Sequence, residues 1–205
     1  DSGHTRIYAW DGSSWSQLGG DIDGEAAQDK SGHSVSLSSD GTVVAIGAYR
    51  NAGNGSFSGH TRIYVWDESS WSQLGGDIDS EAANDWSGYS VSLSSDGTVV
   101  AIGAVGNDGN GNLSGHTRIF VWDESSWSQL GGDIDGEALG DNSGHSVSLS
   151  SDGTVVAIGA HGNDGNGNLS GHTRIFVWDE SSWSQLGGDI DGEAANDWSG
   201  YSVSL

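Results

Sequence analysis

Residues 89–104 read YSVSLSSDGTVVAIGA and decide the fold. The first five residues alternate between polar and apolar side chains, as a half-buried strand does. Asp96-Gly97 is a strong hairpin signal. Residues 98–104 are apolar on both faces, which indicates a strand buried on both sides, and the Ala and Gly residues in it allow close approach of a neighbouring sheet. The stretch therefore predicts a hairpin whose second strand lies inside the protein.

The sequence after this hairpin predicts two more strands. A Gly/Asn loop covers residues 106–113, and residues 116–122, HTRIFVW, alternate in polarity and predict a third strand. Residues 123–126 predict a turn, and residues 127–130 a fourth strand. An acidic segment, residues 133–141, then leads into the next unit.

The same unit recurs along the chain. The phrase SGHTR begins at Ser2, Ser58, Ser114 and Ser170, always 56 residues apart, and residues 58–113 differ from 114–169 at only 7 of 56 positions. Such self-similarity indicates a repeat architecture. Four short antiparallel strands per unit predict an all-β fold, a β-propeller or propeller segment of four-stranded antiparallel blades. A β-solenoid is the alternative, although its coils are shorter and need no hairpins.

We expect one continuous array, because each unit must bury its apolar faces against its neighbours. The expected divisions of the single array 1–205 are a partial blade 1–30, three blades 31–86, 87–142 and 143–198, and the first strand of a further blade, 199–205. The outer blade lacks its second strand. We therefore expect that the chain continues into a longer one or is completed by another chain.

Composition limits the possible partners. Lys plus Arg number 6 and Asp plus Glu number 29, a formal net charge of −23. This balance argues against nucleic acid, whose binding proteins need a basic surface, and against anionic membranes. It is compatible with bound Ca²⁺. The sequence has no apolar run long enough to span a membrane, and no cysteine with which to form a disulfide.

Three phrases are similar to a known repeat: SGHSVSLSSDGTVVAIGA (Ser31–Ala48), NDGNGNLSGHTRIFVWD (Asn107–Asp123) and WSQLGGDIDGEA (Trp127–Ala138). They resemble the FG-GAP repeat, in the variant common in secreted proteins of marine bacteria and algae, and more distantly the integrin α-chain propeller. The resemblance implies a β-propeller, an extracellular location and a role in binding or adhesion. The integrin branch carries a Ca²⁺ loop, DxDxDGxxD, where this chain has only the short turn Ser38–Gly41, so that calcium site does not transfer.

The acidic segment is the first candidate metal site. It places carboxylates at positions 1, 3, 5 and 9, and alternate positions in a tight loop could direct hard oxygen ligands towards Ca²⁺. The alternative is an exposed acidic loop in which the last Asp accepts hydrogen bonds from backbone amides. The candidate residues are Asp21, Asp23, Glu25, Asp29, Asp77, Asp79, Glu81, Asp85, Asp133, Asp135, Glu137, Asp141, Asp189, Asp191, Glu193 and Asp197.

The Gly/Asn loop is the second candidate calcium site, because it also offers side-chain oxygens at alternate positions. A plain Asn/Gly turn is the alternative. The residues concerned are Asp108, Asn110 and Asn112, with Asp164, Asn166 and Asn168 in the next unit.

Each unit also carries a His-Thr-Arg step and a pair of tryptophans. One Arg per unit in so acidic a chain suggests a buried ion pair with an Asp of a neighbouring strand. We expect no zinc site, because no His and carboxylates converge at short spacing. The tryptophan pairs, such as Trp122 and Trp127, are expected to fill the space between blades, with aromatic platforms for sugars as the alternative.

The units differ mainly in the loop before the first strand, and loops on a rigid scaffold usually carry recognition. Trp86 and Tyr89 become Asn142 and His145 one unit later, and Trp198 and Tyr201 restore the pair. We therefore take Trp86, Tyr89, Trp198 and Tyr201 as candidate ligand-binding residues.

No catalytic motif occurs, and a site copied into every unit suits multivalent binding better than catalysis. The expected function is an extracellular, non-catalytic binding or adhesion module that contacts protein or glycan at a cell surface or matrix. A lectin-like glycan binder and a structural protein that forms a filament or coat are the alternatives.

Overall fold

The computed structural model describes residues 1–205 and contains only β-structure. The first unit contributes four short strands in two separate pairs, β1 with β4 and β2 with β3. These strands are β1 (His4–Thr5), β2 (Tyr8–Trp10), β3 (Trp15–Gln17) and β4 (Ile22–Asp23). No helix that could cross a membrane is present.

Three five-stranded antiparallel sheets follow. The first comprises β5 (Ser34–Leu37), β6 (Val43–Ala48), β7 (His60–Trp66), β8 (Trp71–Gln73) and β9 (Ile78–Asp79). The second comprises β10 (Ser87–Leu93), β11 (Val99–Ala104), β12 (His116–Trp122), β13 (Trp127–Gln129) and β14 (Ile134–Asp135). The third comprises β15 (Ser146–Leu149), β16 (Val155–Ala160), β17 (His172–Trp178), β18 (Trp183–Gln185) and β19 (Ile190–Asp191).

Each sheet is a four-stranded meander with one addition. The order β10-β11-β12-β13 agrees with the predicted blade, and β14 pairs with the first half of β12. The sequence analysis missed this two-residue strand. It forms because β13 pairs only with Phe120–Trp122, which leaves the beginning of the seven-residue β12 free to bind another segment. Its effect is to hold the acidic segment against the start of β12.

Residues 199–205 were expected to form the first strand of another blade. They form no strand here, although Leu205 donates its backbone N–H to the Ser148 hydroxyl at 3.0 Å. Among residues 1–205, no second-strand segment lies beside this one to pair with it. The proposed division into blades stays a prediction.

The hydrophobic core lies between successive sheets. One cluster joins Ala45 and Ile63 of the first sheet to Val100 and Ile102 of the second, and an equivalent cluster joins the second sheet to the third. All six residues of β6 and of β11 are buried. Both faces of the second strand are therefore covered, as its two-sided apolar pattern predicts.

The sheets approach most closely at a glycine in each second strand. A Cβ on Gly103 would overlap the backbone carbonyl oxygen of Gly144 in the next unit. Beside it, the Ser90 hydroxyl donates to that same carbonyl at 2.7 Å. The small residue at this position therefore sets the distance between consecutive units.

The tryptophan pairs lie between units, as expected. The indole of Trp127 donates to the backbone oxygen of Leu74 in the preceding unit at 2.9 Å, and Trp71 and Trp183 make the equivalent bond. The paired rings of Trp122 and Trp127 also cover Gly75 of the preceding unit. The pairs thus fix each unit to the one before it.

Candidate functional site

Two groups of side chains lie at the edge of the sheets where each first strand begins and each second strand ends. The register shows this edge directly, because Ala104 at the end of β11 pairs with both Ser87 and His116. The hairpin turns of the first and second strands, such as Ser94–Gly97, lie at the opposite edge. One group is aromatic, and the other combines histidine with carboxylates.

The aromatic group is built on one position of the repeat, which holds His33, Tyr89, His145 and Tyr201; we name these four residues the aromatic row. Consecutive ring centroids are 4.9, 5.2 and 4.5 Å apart. These separations fall in the range of favourable aromatic contacts. The row therefore runs without interruption across four successive units.

Rings outside this position extend the row on both sides. Tyr49 lies 4.5 Å from His33 and 5.5 Å from Tyr89, and His161 lies 4.1 Å from His145 and 5.6 Å from Tyr201. The residue after the second strand thus supplies a ring to the row in two of the three sheets. At the equivalent position the intervening unit has Val105.

The two candidate tryptophans flank these rings. Trp86 lies 6.4 Å from Tyr49, and Trp198 lies 6.2 Å from His161. Both tryptophans have positive φ, 58° and 54°. Asn142 occupies the equivalent position with φ 53°, so this backbone conformation is a property of the repeat rather than of tryptophan.

The structure therefore brings all four predicted ligand-binding residues to the same edge, as parts of one aromatic surface. Trp198 is 49% exposed and Tyr201 57%, whereas Trp86 and Tyr89 are half-buried. Sequence reasoning missed Tyr49 and the three imidazoles of the surface. The equivalent positions 49, 105 and 161 hold Tyr, Val and His in units that are otherwise nearly identical. This variation was the signal that could have identified the position.

Burial lowers the pKa of the imidazoles in this surface. The pKa of His161 falls to about 4, first because of burial and then because of the nearby charge of His145. The pKa of His145 also falls, mainly because of burial. At neutral pH both rings are therefore uncharged and pack as aromatic groups.

The second group consists of three equivalent clusters, each with one histidine and two carboxylates; we name them the His–carboxylate clusters. Their ligand-capable atoms lie within 4.8 Å of one another in every case. The clusters are Glu25, His60 and Asp77; Glu81, His116 and Asp133; and Glu137, His172 and Asp189. Each takes its Glu from one unit and its His and Asp from the next.

The imidazoles in these clusters are buried, with exposures of 1%. Burial is the main cause that lowers the pKa of His60, His116 and His172, and it prevails over the opposing effect of the carboxylates. The rings are therefore neutral at neutral pH and are not ordinary ion-pair partners.

The expected arginine ion pair has a different geometry. Arg118 is 6% exposed, and its Nη2 donates to the backbone oxygen of Asp79 at 2.7 Å. Its Nη1 lies 3.9 Å from the Glu81 carboxylate. The charged partner is thus a Glu of the preceding unit rather than an Asp of a neighbouring strand, because the acidic segment of that unit reaches across the boundary.

The four carboxylates of one acidic segment point in different directions. Asp77 accepts a hydrogen bond from Gln73 at 2.7 Å and faces His60, whereas Glu81 lies beside His116 of the next unit. Asp85 is buried and accepts bonds from the Ser80 hydroxyl and the Ala82 amide. Only one residue of each segment thus enters a given cluster.

The remaining members of the predicted calcium sets have separate surroundings. Asp79 and its equivalents Asp135 and Asp191 lie in the short strand that pairs with the start of β7, β12 or β17. The fourth carboxylate of each segment accepts a bond from a backbone amide, as in the alternative considered from the sequence. These bonds are made by Asp29, Asp85, Asp141 and Asp197.

The Gly/Asn loop forms a hydrogen-bonded turn. Asp108 accepts bonds from the Leu113 amide at 2.8 Å and the Asn112 side chain at 3.3 Å. The Asn110 side chain donates to the backbone oxygens of Gly136 and Glu137 at 2.9 Å. Asp164 and Asn166 repeat these bonds in the next unit. The loop therefore ties the acidic segment of its own unit in place.

Comparison with known proteins supports the repeat assignment. Residues 79–120 match the model of the FG-GAP repeat. The resemblance to this repeat family that the sequence motifs predict is therefore confirmed. It spans the end of one unit and most of the next, and the near identity of the units extends the resemblance along the chain. No curated protein shows significant similarity to the chain.

Solved structures show the same fold at low sequence identity. A candidate 6-phosphogluconolactonase from Bacteroides uniformis has a TM-score of 0.60 and 12% identity, with 91% of this chain and 51% of that chain covered. A second one, from Bacteroides fragilis, has a TM-score of 0.59 and 13% identity, with coverages of 88% and 45%. The chain thus spans about half the length of these proteins, and the likeness shows a propeller-type fold alone.

Proposed function

We propose that the chain is a non-catalytic, multivalent binding module of the extracellular type, and that the aromatic row with its flanking tryptophans is the binding surface. The observation that supports this proposal is the uninterrupted line of rings across four units, with centroids 4.5 to 5.2 Å apart. Partly exposed Trp and Tyr side chains offer large, rigid contact area at small entropic cost. One such contact per unit gives avidity from weak individual interactions.

The surface suits a glycan at a cell surface or matrix. Sugar rings present both C–H groups, which pack on aromatic faces, and hydroxyls, which need hydrogen-bond partners. The row supplies aromatic faces together with phenol and imidazole polar atoms. A negatively charged ligand is disfavoured, because the chain has a net charge of −23.

A matched set of variants tests this proposal. Trp86→Asn and Trp198→Asn are conservative for the backbone, because Asn142 already occupies this position with the same positive φ. Trp15→Asn is the control, since Trp15 is 67% exposed and lies outside the row. The ligand is first identified on an array of neutral glycans with the unmodified chain.

We expect the double variant Trp86→Asn/Trp198→Asn to bind at least about tenfold more weakly, because its loss of aromatic contacts exceeds about 1.4 kcal/mol. The Trp15 control should bind normally. Unchanged binding by a folded double variant would contradict the assignment of the row. Hydrolysis of a sugar lactone at a rate above that of the buffer would contradict the non-catalytic function.

A further inference from the structure

The His–carboxylate clusters have a spacing that a hydrogen-bonded network does not explain. His60 Nδ1 lies 3.6 Å from Asp77 and 3.9 Å from Glu25, and His172 Nδ1 lies 3.7 Å from Glu137. N–H···O bonds are normally about 2.7–3.2 Å long. Two ligands of a tetrahedral Zn²⁺ are about 3.3 Å apart, given bonds of about 2.0–2.1 Å. The separations are therefore close to those of ligands arranged around a metal.

Buried ring nitrogens in the clusters have no hydrogen-bond partner. Both nitrogens of His172 and the Nε2 of His116 are buried and unpartnered. Native proteins leave few buried polar atoms unsatisfied, and such atoms often mark a place for a ligand. His172 Nδ1 lies 3.7 Å from the Glu137 carboxylate, which is too far for a hydrogen bond between them.

In the first cluster, a neighbouring side chain contacts one oxygen of each carboxylate, and the other oxygen faces the imidazole. Gln73 donates to Oδ1 of Asp77, while Oδ2 faces His60. Arg62 lies beside Oε1 of Glu25, while Oε2 faces the same ring. Such outer contacts are the ones that orient metal ligands.

The first unit provides an internal contrast. His4 is exposed there, and Arg6 binds Asp21 with two bonds of 2.9 and 2.8 Å. In the later units the arginine instead donates to a carbonyl of the preceding unit. The contact between two units therefore releases the Asp carboxylate for the cluster.

We propose that each His–carboxylate cluster binds a divalent transition metal of the Zn²⁺ class, with Glu, His and Asp as ligands and water in the open position. A neutral imidazole with two carboxylates suits Zn²⁺, whereas Ca²⁺ takes oxygen ligands only. The carboxylates are partly exposed, which gives a metal ion access. The metal would join two units, because the Glu belongs to one unit and the His and Asp to the next.

Calorimetric titration of the chelator-treated protein with ZnCl₂ tests the proposal. We expect three Zn²⁺ per chain, one for each cluster. Glu81→Gln should reduce this number to two, because the amide replaces an anionic ligand. Glu193→Gln is the matched control: Glu193 occupies the same repeat position, but belongs to no cluster, so three ions should still bind.

The variant Glu25→Gln/Glu81→Gln/Glu137→Gln should bind no Zn²⁺, with its fold checked by circular dichroism. If this variant unfolds, the three single variants decide, since each must lose one ion. NMR should show Zn²⁺-induced shifts at His60, His116 and His172. Undiminished binding by the triple variant, shifts confined to His145 and His161, or displacement of Zn²⁺ by excess Ca²⁺ would overturn the proposal.

Discussion

The substitution Arg118→Met tests how the units are held together. Arg118 donates to the Asp79 carbonyl at 2.7 Å, and its guanidinium lies 5.3 Å from the Phe120 ring centroid. Met retains most of the apolar stem, so the substitution removes polar interactions with little change in packing. The equivalent residue of the first unit, Arg6, has a side chain that is 46% exposed and forms no bond to another unit, so Arg6→Met is the control.

The expected loss follows from the individual contacts. A hydrogen bond from a charged donor contributes about 1.5–3 kcal/mol. The cation–π contact adds about 1 kcal/mol. The ion pair with Glu81 spans 3.9 Å, and the Glu is 49% exposed, so it adds less than about 1 kcal/mol. Arg118→Met should therefore lower the free energy of unfolding by about 3 kcal/mol.

Guanidinium denaturation followed by tryptophan fluorescence measures this loss. For a chain of this size, an m-value of about 4 kcal/mol/M converts about 3 kcal/mol into a midpoint shift of about 0.7 M. Arg6→Met should shift the midpoint by less than about 0.25 M, because it removes one largely exposed ion pair, which contributes little to stability. Equal shifts for the two variants at an unchanged m-value would refute the reasoning, because burial between units would then contribute nothing.

Three further predictions concern packing and pH. Gly103→Ala should lower the free energy of unfolding by about 1–3 kcal/mol in denaturant titrations, because the added Cβ would overlap backbone atoms of the next unit. Gly132→Ala is the control and should not destabilise the protein, because a Cβ at Gly132 would have no other atom within 4 Å. Ile119→Val should cost about 1 kcal/mol in the same titration, since Ile119 is fully buried; no loss would contradict the placement of the core. The melting temperature should fall as the pH drops from about 6.5 towards 4, because His161 has a lowered pKa in the folded state, near 4, and resists the proton that the unfolded chain accepts. His161→Val should make this dependence less steep without abolishing it, because His60, His116, His145 and His172 also have lowered pKa values. An unchanged slope would exclude a contribution from His161.

Much of the fold could be predicted because each unit repeats the same local signals. The Asp-Gly turn, the alternation in residues 116–122 and the two-sided apolar run of the second strand each specify an element that the structure contains. The strand Ile134–Asp135 could not be predicted, because two residues carry no periodicity. Its formation depends on the unpaired half of β12, which is a property of the assembled sheet.

The candidate sites were less accessible from the sequence, because both join residues of different units. Asp77 and Glu81 look like neighbours in one acidic loop, but they face the histidines of two successive clusters. Spacing along the chain therefore suggested a calcium loop, whereas packing groups each carboxylate with a histidine distant in sequence. The aromatic row could be predicted in part from the sequence. The replacement of Trp86 and Tyr89 by Asn142 and His145 one unit later identified one position in the row and one position beside it.

The contacts between units use residues that the units share. The Ser39 amide donates to the Ser95 carbonyl, and the Ser95 amide donates to the Ser151 carbonyl, at 2.8 Å in both cases. The bonds from the indoles to the Leu carbonyls recur in the same way. Any unit therefore presents a surface that fits any other. Tandem duplication or deletion of whole units would leave every remaining junction intact, so the array could change length in evolution without new interfaces. The same interchangeability allows incorrect pairing during folding. A unit can pack against the unit two positions away in its own chain, or against a unit of another molecule.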